Sequence, residues 1–163
     1  METQHTNTAP CALIVEDEFF VRFYGADLLT EIGFVVLQAG DAREALRLLE
    51  IRKDISLVFS DVQMPGAFDG LELARLIHRR WPQIALLITS GRPISSDQLP
   101  SSAGFLPKPY DGKALAHHIA QLWRMSESAP SVSLVPSVSA TTTMLVCGAS
   151  TADKIVCGDL STA

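Results

Sequence analysis

Glu16, Asp17, Asp61, Thr89 and Lys108 each lie at or just past the C-terminal end of a short apolar run, namely ALIV, LVFS, LLIT and GFLP. Three carboxylates, a hydroxyl and an ammonium are the groups that phosphoryl transfer uses. If the four runs are parallel strands of one sheet, their ends lie side by side. The five side chains then meet in the crevice where open α/β sheets bind their ligands. Three clustered acids repel one another, and a divalent cation is what would hold them together.

Magnesium suits such a cluster, because it takes oxygen ligands, keeps several waters and needs only one or two protein carboxylates. Asp17 and Asp61 suit direct ligation, with Glu16 holding a metal-bound water and the backbone carbonyl of Gln63 completing the protein's share. Asp61 has a second use, since a carboxylate attacks phosphorus to form an aspartyl phosphate. The cation and Lys108 would offset charge on the transferring group's oxygens. Thr89 and the backbone N–H groups after Asp61 and Thr89 would bind the remaining oxygens. A lysine, as a compact point charge, fits that task.

The elements that must position these groups alternate strand and helix. Ala12–Val15 is continuously apolar, as a strand covered on both faces should be. Phe19 to Ile32 has helical periodicity, with Phe20, Phe23, Tyr24, Leu28 and Ile32 expected on one buried stripe, and Gly33 stops it. Phe34–Ala39 reads as the second strand. Asp41 caps the helix DAREALRLLEIRK, with Ala45, Leu46, Leu48 and Leu49 inward and Arg43, Arg47 and Arg52 outward. Leu57–Ser60 is the third strand, ending at Asp61. Asp69 caps a helix over Leu71–Arg80, which Trp81-Pro82 ends. Ile84–Thr89 is the fourth strand, the GFL around Phe105 a short fifth, and Asp111–Met125 the last amphipathic helix. Such alternation predicts a doubly wound parallel sheet with helices on both faces. Between Thr89 and Gly104 the fourteen residues 90–103 include Gly91, Pro93 and Pro100, so at most one or two helical turns are expected around Ser95–Leu99.

Composition sets the outer bounds. The 163 residues allow one domain plus an appendage. A net charge of −5 argues against a nucleic-acid-binding face. No apolar run approaches the roughly 18 residues of a membrane span. Three scattered cysteines, Cys11, Cys147 and Cys157, are a poor disulfide framework. With a polar start that lacks the regions of a signal peptide, they give a cytoplasmic expectation. Residues 1–10 read as a flexible N-terminus and 11–125 as the folded domain. The Ser/Thr/Ala/Val-rich residues 126–163 read as a disordered tail.

With VEDE at 15–18, DVQMPG at 61–66, ITSG at 88–91 and LPKPY at 106–110 in order at strand ends, residues 12–123 resemble a receiver domain of the two-component response regulator family. The resemblance implies the flavodoxin-like strand order 2-1-3-4-5. It implies that Asp61 is the phosphoacceptor, that Glu16 and Asp17 help bind Mg²⁺, and that Thr89 is a switch hydroxyl with Lys108 as salt-bridging partner. Phe105 falls at the aromatic switch position, and Pro109 follows Lys108 as in the family, often through a cis bond. The partners implied are a sensor histidine kinase or histidine phosphotransfer protein and an unknown downstream protein, with neither nucleic acid nor membrane. The chain departs from the family in its clipped segment after Thr89, where a fourth helix usually stands. With no output domain after the receiver, it resembles the stand-alone class.

Other readings stand beside this one. His117 and His118 are adjacent on a helix and point about 100° apart, a poor geometry for sharing a metal. The FVRFY stretch reads as core and partner surface. A binding module that works without phosphorylation, or a phosphate sink, is compatible with the same fold. A metal-dependent phosphatase is disfavoured because Glu16-Asp17-Glu18 occupies the place of its nucleophile motif. The expected behaviour is self-phosphorylation and autodephosphorylation at Asp61, not enzymatic turnover.

Overall fold

The computed structural model describes residues 9–65 and 69–125. Five parallel strands, β1 (Cys11–Val15), β2 (Val35–Ala39), β3 (Ile55–Asp61), β4 (Ala85–Ser90) and β5 (Ala103–Pro107), form one sheet in the order β2-β1-β3-β4-β5. Four helices connect or follow them: α1 (Phe19–Ile32), α2 (Ala42–Ile51), α3 (Gly70–Arg80) and α4 (Gly112–Met125). This is the doubly wound architecture and strand order expected.

The central strand shows why apolar runs become strands here. All five residues of β1 are buried, and they alternate between two cores. Cys11, Leu13 and Val15 pack with α2 and α3 residues such as Ala45, Leu49, Leu73 and Ile77. Ala12 and Ile14 pack with Ala26, Leu29, Leu115 and Ile119 from α1 and α4. Period-two alternation on a strand covered twice leaves no polar position.

Helix ends follow local chemistry. The Asp41 carboxylate accepts from Glu44 N at 2.7 Å and opens α2. Asp69 and Glu72 form a reciprocal capping box at the start of α3. Gly33, with φ at 111°, closes α1 in the left-handed conformation that glycine adopts at little cost. Within α2, Ala45 and Leu49 are buried while Leu46 and Leu48 are half-buried, so the expected inward face stands.

The expected face of α1 holds only at Leu28, which is buried, and Ile32, which is half-buried against the same core. Phe20, Phe23 and Tyr24 are 78%, 60% and 48% exposed, and the buried positions are Gly25, Ala26, Leu28 and Leu29. The cause is a close approach of the helix to the sheet. A Cβ on Gly25 would come within 2.5 Å of Ile14 Cδ1, so this helix meets the sheet through its smallest residues and turns its aromatic rings outward.

Between β4 and β5 there is one 3₁₀ turn, Ser96–Gln98, where a full helix would otherwise cross over. The glycine and prolines of this stretch account for it. Among the described residues, no helix is long and apolar enough to cross a membrane. The N-terminal residues 1–8 with His5, the tail 126–163 with Cys147 and Cys157, and residues 66–68 lie outside the described residues.

Candidate functional site

Four neighbouring strand ends, those of β1, β3, β4 and β5, bring the expected residues together. Glu16 follows β1, with its N–H donated to the Ala39 carbonyl at 3.1 Å, and Asp17 is the next residue. Asp61 is the last residue of β3 and pairs in register with Thr89 of β4. Lys108 leaves β5 with its N–H on the Ser90 carbonyl at 2.9 Å, and the Lys108-Pro109 peptide is cis.

The side chains converge. Carboxylate oxygens of Glu16, Asp17 and Asp61 lie within 4.8 Å of one another. Glu16 and Asp61 are buried, whereas Asp17 is exposed and open to solvent cations. Lys108 Nζ donates to both buried acids, at 2.7 Å to Glu16 Oε2 and 2.8 Å to Asp61 Oδ2. The second Asp61 oxygen, Oδ1, accepts from Gln63 N at 3.2 Å. Thr89 Oγ1 is buried without a hydrogen-bond partner. A buried hydroxyl without a partner is costly, so its presence beside a carboxylate cluster is evidence of a ligand oxygen that belongs there. Three oxygen donors at this spacing fit a hard divalent cation.

Electrostatics at the site are set by burial and by one shared ammonium. Burial raises the Glu16 carboxyl above its usual range, Lys108's hydrogen bond offsets part of that, and the Asp61 charge raises it further. Burial opposes the charge on Lys108, but hydrogen bonds and charge from Asp61 and Glu16 outweigh it and the ammonium is held above its ordinary value. One cation divided between two buried acids leaves negative charge to spare. That surplus is what a divalent ion would use.

Phe105 and Gln63 sit at the margin of the site. Phe105 is half-buried on β5, in register with Ile88, one residue away from the Leu106–Thr89 pair. Gln63 is exposed, and its observed contact with Asp61 is through N–H.

Other site residues escaped the sequence reading. A Cβ on Gly70 would lie 1.9 Å from the Asp61 carbonyl oxygen, so only glycine lets α3 begin against the main chain of Asp61. Its signal was present in the Asp-Gly before an apolar period, which reads equally well as an ordinary helix start. A groove of about 510 Å³ beside Lys108 is lined by Phe20, Val21, Tyr24, Pro109 and Tyr110. Tyr110 also meets Phe59 edge-on at 5.3 Å.

Burial pushes the Tyr110 phenol up to about 12, with Lys108 lowering it and the nearby acids raising it. Because the folded value is raised, the stability it contributes is whole below the ordinary value of 10.0 and is lost as pH climbs through about 12. Phenolate absorbance in a Tyr24→Phe chain should therefore titrate near the upper value, and Tyr110→Phe should remove that part of the alkaline loss of stability. Titration of Tyr110 at the ordinary value would contradict its burial beside Phe59.

A family model described as "Response regulator receiver domain" matches residues 12–120. The sensor kinase CckA of Brucella abortus is 36% identical over 115 residues, 68% of this chain and 12% of that protein. The response regulator protein FleR of Pseudomonas aeruginosa is 33% identical over 135 residues, 77% of this chain and 28% of that protein. The solved receiver domain of the hybrid histidine kinase CckA superposes with a TM-score of 0.59 at 37% identity, over 69% of this chain and 97% of that one. A receiver protein from Sinorhizobium medicae superposes at 0.68 with 23% identity, over 73% of this chain and 98% of that one, a likeness of fold alone. Among the first curated relatives the match spans between 12% and 50% of their length.

Proposed function

This chain belongs to the response regulator receiver family, a family of signalling modules, and on that premise we propose that Asp61 accepts a phosphoryl group from a histidine on a partner kinase or phosphotransfer protein. The P–N bond of the donor phosphohistidine breaks as an Asp61 carboxylate oxygen forms the new P–O bond. The departing imidazole nitrogen takes a proton from solvent. What supports this reading is the double grip on Asp61: Lys108 Nζ on one oxygen at 2.8 Å and Gln63 N–H on the other at 3.2 Å, beside an unpartnered Thr89 hydroxyl.

Roles follow from those contacts. Lys108 holds the carboxylate and then balances charge on the phosphoryl oxygens. Thr89 gives its unused hydroxyl to one of them, and Phe105 repacks as Thr89 moves, which changes affinity for a downstream protein. Asp17 and Asp61 would hold Mg²⁺, with Glu16 through a water and the Gln63 carbonyl as further oxygen donors, and the ion would supply neutralisation of the same oxygens. The donor protein covers the aromatic groove beside Lys108, which is open and apolar. A second reading, a phosphate sink that uses the same site without a downstream partner, is favoured by one observation: a single 3₁₀ turn stands where a crossover helix would present a partner surface.

The test is intact mass after incubation with acetyl phosphate and Mg²⁺. A gain in the wild type that is lost in Asp61→Asn is expected, and equal gain in both would overturn the assignment.

Lifetime of the phosphorylated form should answer to two exposed residues. Shortening Gln63 to Asn opens the approach of water to the phosphoryl group, so decay should quicken severalfold. Gly91 has open space around it, and Gly91→Glu would fill the same approach and slow decay. Unaltered decay of both phosphorylated variants, followed by mass, would remove these residues from the water path.

A further inference from the structure

We propose that Arg22 is a positioning residue for the acidic cluster, fixing the main chain that carries Glu16 and Asp17 so that their carboxylates converge with Asp61 on one cation. This rests on the cation-binding reading of the site, and it adds a residue outside the set that reaches the cation.

Arg22 lies in the first turns of α1, and its guanidinium reaches back over the loop after β1. Nη1 is 2.5 Å from the Glu16 carbonyl oxygen and 3.4 Å from that of Asp17. The guanidinium carbon sits 5.7 Å from the centre of the Phe19 ring. From the other side, a Cβ built on Gly40 would lie 3.6 Å from the same Nη1. Arg22 therefore fills the corner between the acidic loop and the turn that joins β2 to α2. The Glu16 N–H is already held by the Ala39 carbonyl at 3.1 Å, so both ends of this residue's backbone are tied.

The choice of acceptor sets Arg22 apart from an ordinary ion pair. An arginine beside two carboxylates ordinarily pairs with them, and a guanidinium fits a carboxylate bidentately. Among the described residues Arg22 forms no such pair. It binds carbonyls instead, which leaves the Asp17 carboxylate free and Glu16 to Lys108. Arg22's positive charge lies near the place a divalent ion would occupy, and charge alone would weaken cation binding. Any gain must come from geometry. The two effects have opposite signs, which makes them separable.

Mn²⁺ binding to the full chain, read by electron paramagnetic resonance, tests this without any phosphoryl transfer. Arg22→Ala should weaken binding about tenfold, the scale of losing a hydrogen bond from a charged donor. Arg22→Lys keeps the charge, but its shorter side chain ends in a point-like ammonium in place of the planar group that reaches back from α1 to the two carbonyls, so it should weaken binding nearly as much. Arg22→Gln keeps a donor and drops the repulsion, so it should lie closest to wild type. Melting temperatures without metal identify any variant that fails to fold. Binding within twofold of wild type in both folded Ala and Lys variants would overturn the proposal, whatever their melting temperatures. Tighter binding in Ala than in wild type would also overturn it, since repulsion by the charge would then be the whole effect of Arg22. A wild-type chain that binds no Mn²⁺ would overturn this proposal and the cation reading together. A chain that binds Mn²⁺ but takes no phosphoryl group would overturn only the role given to Asp61.

Discussion

Incubated with acetyl phosphate and Mg²⁺, the wild-type chain should gain the mass of one phosphoryl group, and Asp61→Asn should react at least about a hundredfold more slowly. The size of the loss follows from chemistry rather than shape. Asparagine occupies nearly the same volume, and its side-chain oxygen can still accept from Gln63 N–H, but an amide oxygen is a far weaker nucleophile than a carboxylate. A small donor removes docking from the comparison, so the result reports on the site alone. Glu16 is the one credible substitute, because it too is buried and bound to Lys108 Nζ at 2.7 Å. Residual labelling in Asp61→Asn that disappears in the double variant with Glu16→Gln would assign the remainder to Glu16. Undiminished labelling in Asp61→Asn would refute the phosphoacceptor assignment.

The site was legible in the sequence for a physical reason. Its members sit at strand ends, and in a parallel sheet strand ends are placed by topology, which alternating apolar runs and helices reveal. Asp61 opposite Thr89 is such a placement. The missing crossover helix was legible too, because Gly91, Pro93 and Pro100 act locally. What failed was rotation. The aromatic positions of α1 have a correct helical period, and so do the small residues that are buried, so periodicity alone could not choose the face. The choice was made by close approach at Gly25, a contact with Ile14 that involves two elements at once. Gly70 and Arg22 were hidden for the same reason, since each acts on the main chain of another element.

Replacing Lys108 with Met should separate cation binding from phosphoryl transfer. Methionine keeps most of the apolar stem and removes the charge. Lys108 holds Glu16 and Asp61 at 2.7 and 2.8 Å, and both carboxylates are almost fully buried. Without the ammonium, two buried like charges face each other with nothing between them. Folded stability at neutral pH should fall by about 1–3 kcal/mol, below the usual cost of breaking a buried pair because the lysine is partly exposed. Glu16 already holds its proton more tightly than usual, and in the variant that tendency grows. A raised folded-state value means that the stability is present at acid pH and lost as pH rises through it, so denaturant titrations of metal-free Lys108→Met should show greater stability in acid. Competition also disappears, because the lysine and the divalent ion seek the same oxygens. Mg²⁺ should therefore bind the variant more tightly than the wild type and restore its stability, as calorimetry can measure. Phosphorylation should nevertheless slow by about a hundredfold or more, since a preorganised charge on the transferring oxygens is gone. A variant labelled at the wild-type rate would show that Lys108 merely pairs with the acids. Weaker Mg²⁺ binding than wild type would mean that the ammonium organises the cation's ligands instead of competing for them.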